Sequence, residues 1–198
     1  MSDERASRSS YFGIVDLCGI PKDRYYLYKS YWKPEETTIH ILPHWNWPDR
    51  IGENVPVFDV VYETGTLKAV AYKDGEKLGE SVVKTTSDAY ELKLTPDRFT
   101  IKADGADFSY ILIEAFDKDG NTCPLADNKI DIKLSDAGKI AGIGNGNPQS
   151  MNGFQSNSIN LFHDKAMLIV KADASKGEIV VEAIADRLKA DKVKIDLK

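Results

Sequence analysis

From Tyr90 to Lys198 the chain runs through the segments YELKLTPDRFTIKADG, FSYILIEAFDKDGN, NKIDIKLS, GKIAGIGNGNP, KAMLIVKADASKG and EIVVEAIADRLKADKVKIDLK. Each stretch is short, carries apolar residues at alternate positions and ends in residues that favour turns. A period of two places one set of side chains on one face of a strand, so half of each segment is built to be buried. Turns are expected at Asp104-Gly105, Asp119-Gly120 and Lys176-Gly177, where glycine accepts a positive φ. Seven or eight strands at a spacing of about 8–12 residues fit a β-sandwich of the immunoglobulin type, assigned to residues 88–198.

Residues 37–87 continue the β pattern with fewer strands. TLKAVAYKDGEKLGESVVKT reads as two strands joined at Asp74-Gly75, a strong hairpin signal. TTIHILPHWNW alternates through Ile39 and Ile41 and then carries Trp45 and Trp47. The chain before it differs in kind, because Arg8–Trp32 holds seven aromatic residues. PKDRYYLYKSYWK, residues 21–33, is expected to form a helix with Pro21 in its first turn and Pro34 as its stop. Tyr25, Tyr28 and Trp32 then share one face, which requires a partner. The fold class is therefore mainly β, with one N-terminal α-helix.

Charge and hydropathy exclude several roles. Asp and Glu number 31 against 26 Lys and Arg, a formal charge of −5, and no dense basic run exists to follow a phosphate backbone. Nucleic acid is accordingly not an expected partner. The apolar runs are only a few residues long, as at Met167–Val170, so none spans a bilayer. MSDERASRSS lacks the apolar core of a signal peptide. Cys18 and Cys123 lie in segments of different character and are expected to be free thiols rather than a disulfide.

The search for chemistry in the residues yields no catalytic acid, base or nucleophile. GIGNGNP, residues 142–148, has no following helix and no closing Lys-Ser/Thr pair, so it reads as a strand-end turn rather than a phosphate loop. On an extended strand His40 and His44 stand about 13 Å apart, too far to share one ion, so no metal or other cofactor is expected. Trp45 and Trp47 fall on the same side of an extended segment. Exposed, they make a stacking platform for a carbohydrate; buried, they fill a core. Asp16, Glu35, Glu36, Asp49, Glu53, Asp59 and Glu63 show no spacing that selects a pair for glycosidic chemistry. Asn145–Asn160, rich in Asn, Gly and Ser, is expected to be a long surface loop.

RSSYFGIVDLCGIPKDRYYLYKSYW followed by IHILPHWNW, GTLKAVAYKDGEKLGESVVKT, the long run from LTPDRFTIKADG to GIGNGNP, and FHDKAMLIVKA resembles the C-terminal region of Bacteroides-type β-galactosidases of glycoside hydrolase family 2. The resemblance implies that residues 1–36 correspond to the end of a (β/α)₈ barrel, its last loop and last helix. Residues 37–87 then correspond to a partial β-sandwich and residues 88–198 to a terminal immunoglobulin-like sandwich. It also implies a retaining glycosidase as the parent activity, in carbohydrate metabolism, with a periplasmic or extracellular setting.

The chain departs from that pattern in two ways. Both catalytic glutamates of the family lie on barrel strands absent from this sequence, and a barrel needs about 250 residues. The chain is thus expected to be an accessory region that is not catalytic by itself; the alternative is a stand-alone carbohydrate-binding or adhesion-type module. The bridge from HWNW to GTLKAVAYKDG is also short, so strands of the first sandwich are missing. Open edges of that kind invite homodimerisation or strand exchange, through the incomplete sandwich and the aromatic helix.

Overall fold

In the computed structural model the described residues are 13–42 and 63–198. The chain forms two compact units, one of residues 21–85 and the other of residues 1–20 with 86–198.

In the first unit, helix α1 spans Asp23–Trp32. Asp23 in the first turn and Lys29 in the last suit the helix dipole. Pro21 precedes the N-cap Lys22 instead of lying in the first turn, a correction of one position that leaves its missing N–H outside the helix. Past the end of the helix, Glu36 takes Lys29 at 3.1 Å and Lys33 at 2.8 Å. Tyr26 stacks on His40, with ring centroids 4.1 Å apart, and His40 Nε2 lies 2.9 Å from Asp23 Oδ1. Tyr28 and Trp32 do share a face, stacked at 5.3 Å, but they are 40% and 66% exposed, so among the described residues this part of the aromatic face stays open, while Tyr25 is half-buried.

Strands β1 (Thr66–Lys73) and β2 (Glu76–Lys84) form the expected hairpin. Asp74 and Gly75 have φ of 51° and 86°, the two positive values that a two-residue turn matching the strand twist requires. Gly79 leaves room for Ile39, whose Cδ1 would lie 3.2 Å from any Cβ placed there. Residues 37–42 form no strand, so the alternation through Ile39 and Ile41 reflects partial burial and not sheet pairing. Among the described residues the sheet of this unit has two strands.

The second unit is a β-sandwich. Its strands are β3 (Glu91–Pro96), β4 (Thr100–Ile101), β5 (Phe108–Phe116), β6 (Lys129–Leu134) and β7 (Gly138–Gly144). They continue with β8 (Ser158–Asn160), β9 (Lys165–Ala172), β10 (Gly177–Ala185) and β11 (Asp191–Leu197). One sheet runs β3-β5-β9-β7 and the other β4-β11-β10-β6-β8. With the short parallel β4–β11 pair and the added β8 set aside, this is the ABED and CFG order of an immunoglobulin sandwich. Alternation decides what is buried. Ile111 and Ile113 of β5, Leu168 and Val170 of β9, and Ile179 and Val181 of β10 have no measurable exposure.

Two features differ from the pattern read in the sequence. Strand β8 lies inside the segment expected to be loop, paired with β6 through Ile130 opposite Ile159. Asn145, at the other end of that segment, is buried and donates from Nδ2 to the Asn160 carbonyl at 2.9 Å, clamping the loop shut. The predicted turn glycines Gly105, Gly120 and Gly177 all have positive φ, at 73°, 77° and 115°. Cys18 and Cys123 are both free.

Candidate functional site: a cleft on the outer face of the sandwich

The nominated tryptophans Trp45 and Trp47, with His44, lie outside the described residues. The other two histidines make local contacts: His40 the stack on Tyr26 and the hydrogen-bond contact with Asp23 described above, His163 a tilted contact with Phe162 at 4.2 Å. Among the described residues no group of three or more His, Cys, Asp and Glu is placed to hold a metal ion.

The structure draws attention instead to the outer face of the β3-β5-β9-β7 sheet. Here the outward side chains of β5 and β9 meet across the register pairs Tyr110 with Ile169 and Leu112 with Met167. On the far side of β9, Gly142 faces Ile169 and Gly144 faces Met167. The two glycines add no side chains, so the face is hollowed along β7. A β-bulge between Ile140 and Gly142 accompanies the hollow. The result is a cleft of about 490 Å³, with Tyr110 and Phe154 on its sides and Leu17, Cys18 and Gly19 at one end. One register row away, where Phe108 faces Lys171, a shallower cleft of about 590 Å³ is lined by Phe108, Lys139, Lys171 and Gln155. Neither cleft is lined by an Asp or Glu.

The end formed by Leu17–Gly19 is the surprising part, since these residues precede the sandwich by more than sixty positions. Asp16 builds the loop: its Oδ1 accepts from Cys18 N at 2.7 Å and Ile20 N at 2.9 Å, and its backbone N donates to the Ile20 carbonyl at 3.0 Å. Gly19, at φ 81°, closes the turn. The loop sits on the strand-end turn after β7. The Cys18 Sγ would lie 3.1 Å from a Cβ on Gly144, and the Asp16 carboxylate occupies the space beside Gly146. Burial, with Asp16 adding to it, pushes the Cys18 thiol up to about 11 despite a hydrogen bond from the Gly146 backbone. This thiol is a packing group and not a nucleophile. The Asp-x-x-Gly spacing of Asp16 and Gly19 signals such a turn locally; nothing in the sequence signals its landing place.

Beyond the end of β5, which like the end of β7 lies beside the start of β9, Asp117 is buried and accepts hydrogen bonds from Asn121 N at 2.8 Å, Asp119 N at 3.0 Å and Ser87 N at 3.2 Å. The Asn121 hydrogen bond leads the effects that hold its carboxyl below the usual range. Its role is to organise loops, not to transfer protons.

These features define a class: an immunoglobulin-type sandwich that carries a distant N-terminal loop on its outer sheet, with carboxylate-free clefts beside that loop. The chain belongs to the family described as glycoside hydrolase family 2 C-terminal domain 5, whose profile matches residues 92–194. It is 34% identical to β-galactosidase BoGH2A of Bacteroides ovatus, over 96% of this chain and 26% of that protein. A β-glucuronidase of Formosa agariphila is 30% identical over 71% of this chain and 18% of that protein. Among solved structures, a β-glycosidase from Bacteroides vulgatus superposes with a TM-score of 0.84 at 26% identity, covering 96% of this chain and 28% of that one. The chain thus spans about a quarter or less of the length of these relatives. The alignment with the Bacteroides ovatus protein runs over 219 positions against the 198 residues here, so that relative has residues without a counterpart in this chain.

Proposed function

We propose that this chain serves as the C-terminal accessory region of a family 2 glycosidase of β-galactosidase type, supporting a catalytic portion that it does not contain. The observation that carries this reading is the likeness to the Bacteroides ovatus β-galactosidase over 96% of this chain but 26% of that protein. The test is an assay of the purified chain with a chromogenic β-galactoside. No turnover above buffer is expected; turnover that copurifies with the chain and follows its carboxylate variants overturns the proposal.

A second element of the reading is self-association through the unit of residues 21–85. The exposed Tyr28–Trp32 stack and a hairpin with no further strand among the described residues support it. Sedimentation analysis of the chain and of Trp32→Ser tests it. A dimer that Trp32→Ser weakens is expected; a monomer at every concentration rules it out.

A further inference from the structure

We infer that the cleft on the outer face of the β3-β5-β9-β7 sheet is a binding subsite for a neutral oligosaccharide, held between Tyr110 and the loop that follows β7. The site follows from its lining alone; the expectation of a galactosyl unit rests on the proposed β-galactosidase type.

The strand order sets the walls. In the run β5-β9-β7, Ile169 and Met167 of β9 and Gly142 and Gly144 of β7 make the floor. Tyr110 of β5 stands on one side. The loop of residues 145–154, which doubles back beside β7, stands on the other. Two hydrogen bonds fix that loop: Asn145 Nδ2 donates to the Asn160 carbonyl at 2.9 Å, and Ile143 N donates to the Phe154 carbonyl at 2.7 Å. The resulting space of about 490 Å³ falls within the range of about 300–1,000 Å³ typical of small-ligand sites.

The lining has two kinds of chemistry. Tyr110 and Phe154, 43% and 59% exposed, present aromatic surface to the C–H face of a pyranose ring. Asn147, Ser150 and Asn152 present amides and a hydroxyl, groups that both donate and accept, as sugar hydroxyls require. Part of that capacity is used within the loop: Asn147 Oδ1 accepts from Gln149 N at 2.9 Å, and Ser150 Oγ accepts from Asn152 N at 3.4 Å. Asn147 Nδ2, the Ser150 hydroxyl proton and the Tyr110 hydroxyl have no partner among the described residues.

Other occupants fit less well. No Lys or Arg lines the cleft, so an anionic ligand finds no counter-charge there. A peptide strand would have to pair with β7 at the sheet edge, where the Ile143 N–H is already taken by Phe154. A wholly apolar ligand would leave the amides of the loop unpaired. One register row on, the shallower cleft continues the surface with Phe108 and Gln155, a ring and an amide for a second sugar unit.

The experiment titrates the purified chain, isotopically labelled for amide NMR, with β-linked galactotriose, with cellotriose and with glucuronic acid. Saturable shifts at the amides of Gly142, Asn147, Ser150 and Asn152 are expected with galactotriose. Affinity should fall about tenfold in Tyr110→Ala and in Asn147→Ala, and stay unchanged in the control Lys133→Ala on the other sheet. The shift map of the unaltered chain decides the matter should either variant misfold. No saturable shift with either trisaccharide, shifts confined to the Trp45 and Trp47 indoles, or unchanged affinity in both cleft variants overturns the inference. So does tighter binding of glucuronic acid than of the trisaccharides at these amides, which assigns the cleft to an anion. Shifts there with cellotriose alone support the saccharide site and count against the β-galactosidase type. The turnover assay tests the accessory role separately, so the two readings can fail independently.

Discussion

The carboxylate of Asp16 fills the space beside Gly146 that a side chain there would need. The two residues are 130 positions apart, yet each shapes the other's loop. Asp16 accepts from Cys18 N and Ile20 N and so holds the 16–20 turn, while Gly146, at φ 72°, takes a conformation that costs other residues about 1–2 kcal/mol. The contact attaches the N-terminal loop to the sandwich beside the cleft.

Gly146→Ala is expected to lose about 1–2 kcal/mol from the left-handed backbone alone, and more from displacing Asp16. The denaturant midpoint should fall with little change in m. Hydrogen exchange at the Cys18 and Ile20 amides should accelerate more than exchange in β9. If those two amides keep their protection, the loop is not held by this contact.

Gly138 meets the core rather than a loop. A Cβ at this position would lie 2.5 Å from Ile179 Cγ2, and Ile179 is fully buried. Gly138→Ala should therefore cost on the order of 1–3 kcal/mol by overpacking. Ile179→Ala opens a cavity at a cost of about 2–5 kcal/mol. Because the second change removes what the first collides with, the double variant should be markedly more stable than the sum of the two losses. Additive losses in a double-mutant cycle would show that the backbone yields at Gly138 instead.

The Cys18 thiol, pushed up to about 11 by burial and by Asp16, keeps its proton in the folded chain at pH values where an unfolded thiol, near 8.5, releases it. In that window the native state binds more protons, so stability falls as pH rises from about 8.5 towards 11, and below it the contribution is fully present. At pH 8 iodoacetamide should label Cys18 far more slowly than a free thiol. Cys18→Ser should reduce the alkaline loss of stability. Rapid labelling of folded protein would contradict the buried, protonated thiol.

For Asp117 the sign is reversed. Its hydrogen bonds from Asn121, Asp119 and Ser87 favour the carboxylate and hold its folded value below that of the unfolded chain. Its stabilisation is present above about pH 4 and lost as pH falls through the folded value. Asp117→Asn should lower the Tm at neutral pH and make the acid limb of the Tm–pH curve shallower. An unchanged acid limb would assign acid sensitivity to other carboxylates.

Much of the fold is legible in local sequence. The alternation of Ile111 and Ile113 with Tyr110 and Leu112 fixes which residues of β5 point inward, and Asp74-Gly75 fixes the hairpin turn. Helix α1 follows from the spacing of Tyr25, Tyr28 and Trp32. Strand β8 escapes notice because its three residues, Ser158–Asn160, are too few to show a period and sit in a segment of turn-forming composition. The cleft is likewise invisible beforehand: GIGNGNP reads correctly as a strand-end turn, but nothing local says that its glycines make room for Cys18 and Asp16.

The sequence by itself determined the elements, their inward faces, most turns and the likeness to the C-terminal region of family 2 glycosidases. These depend on side-chain periodicity and on backbone preferences that act within a few residues. Only the tertiary structure decided that residues 13–20 lie on the terminal sandwich and that Tyr28 and Trp32 stay exposed in this chain. The reason is physical: contacts such as Asp16 with Gly146 depend on shape and hydrogen-bond complementarity between surfaces distant in sequence. Those surfaces exist only after the sheets have formed.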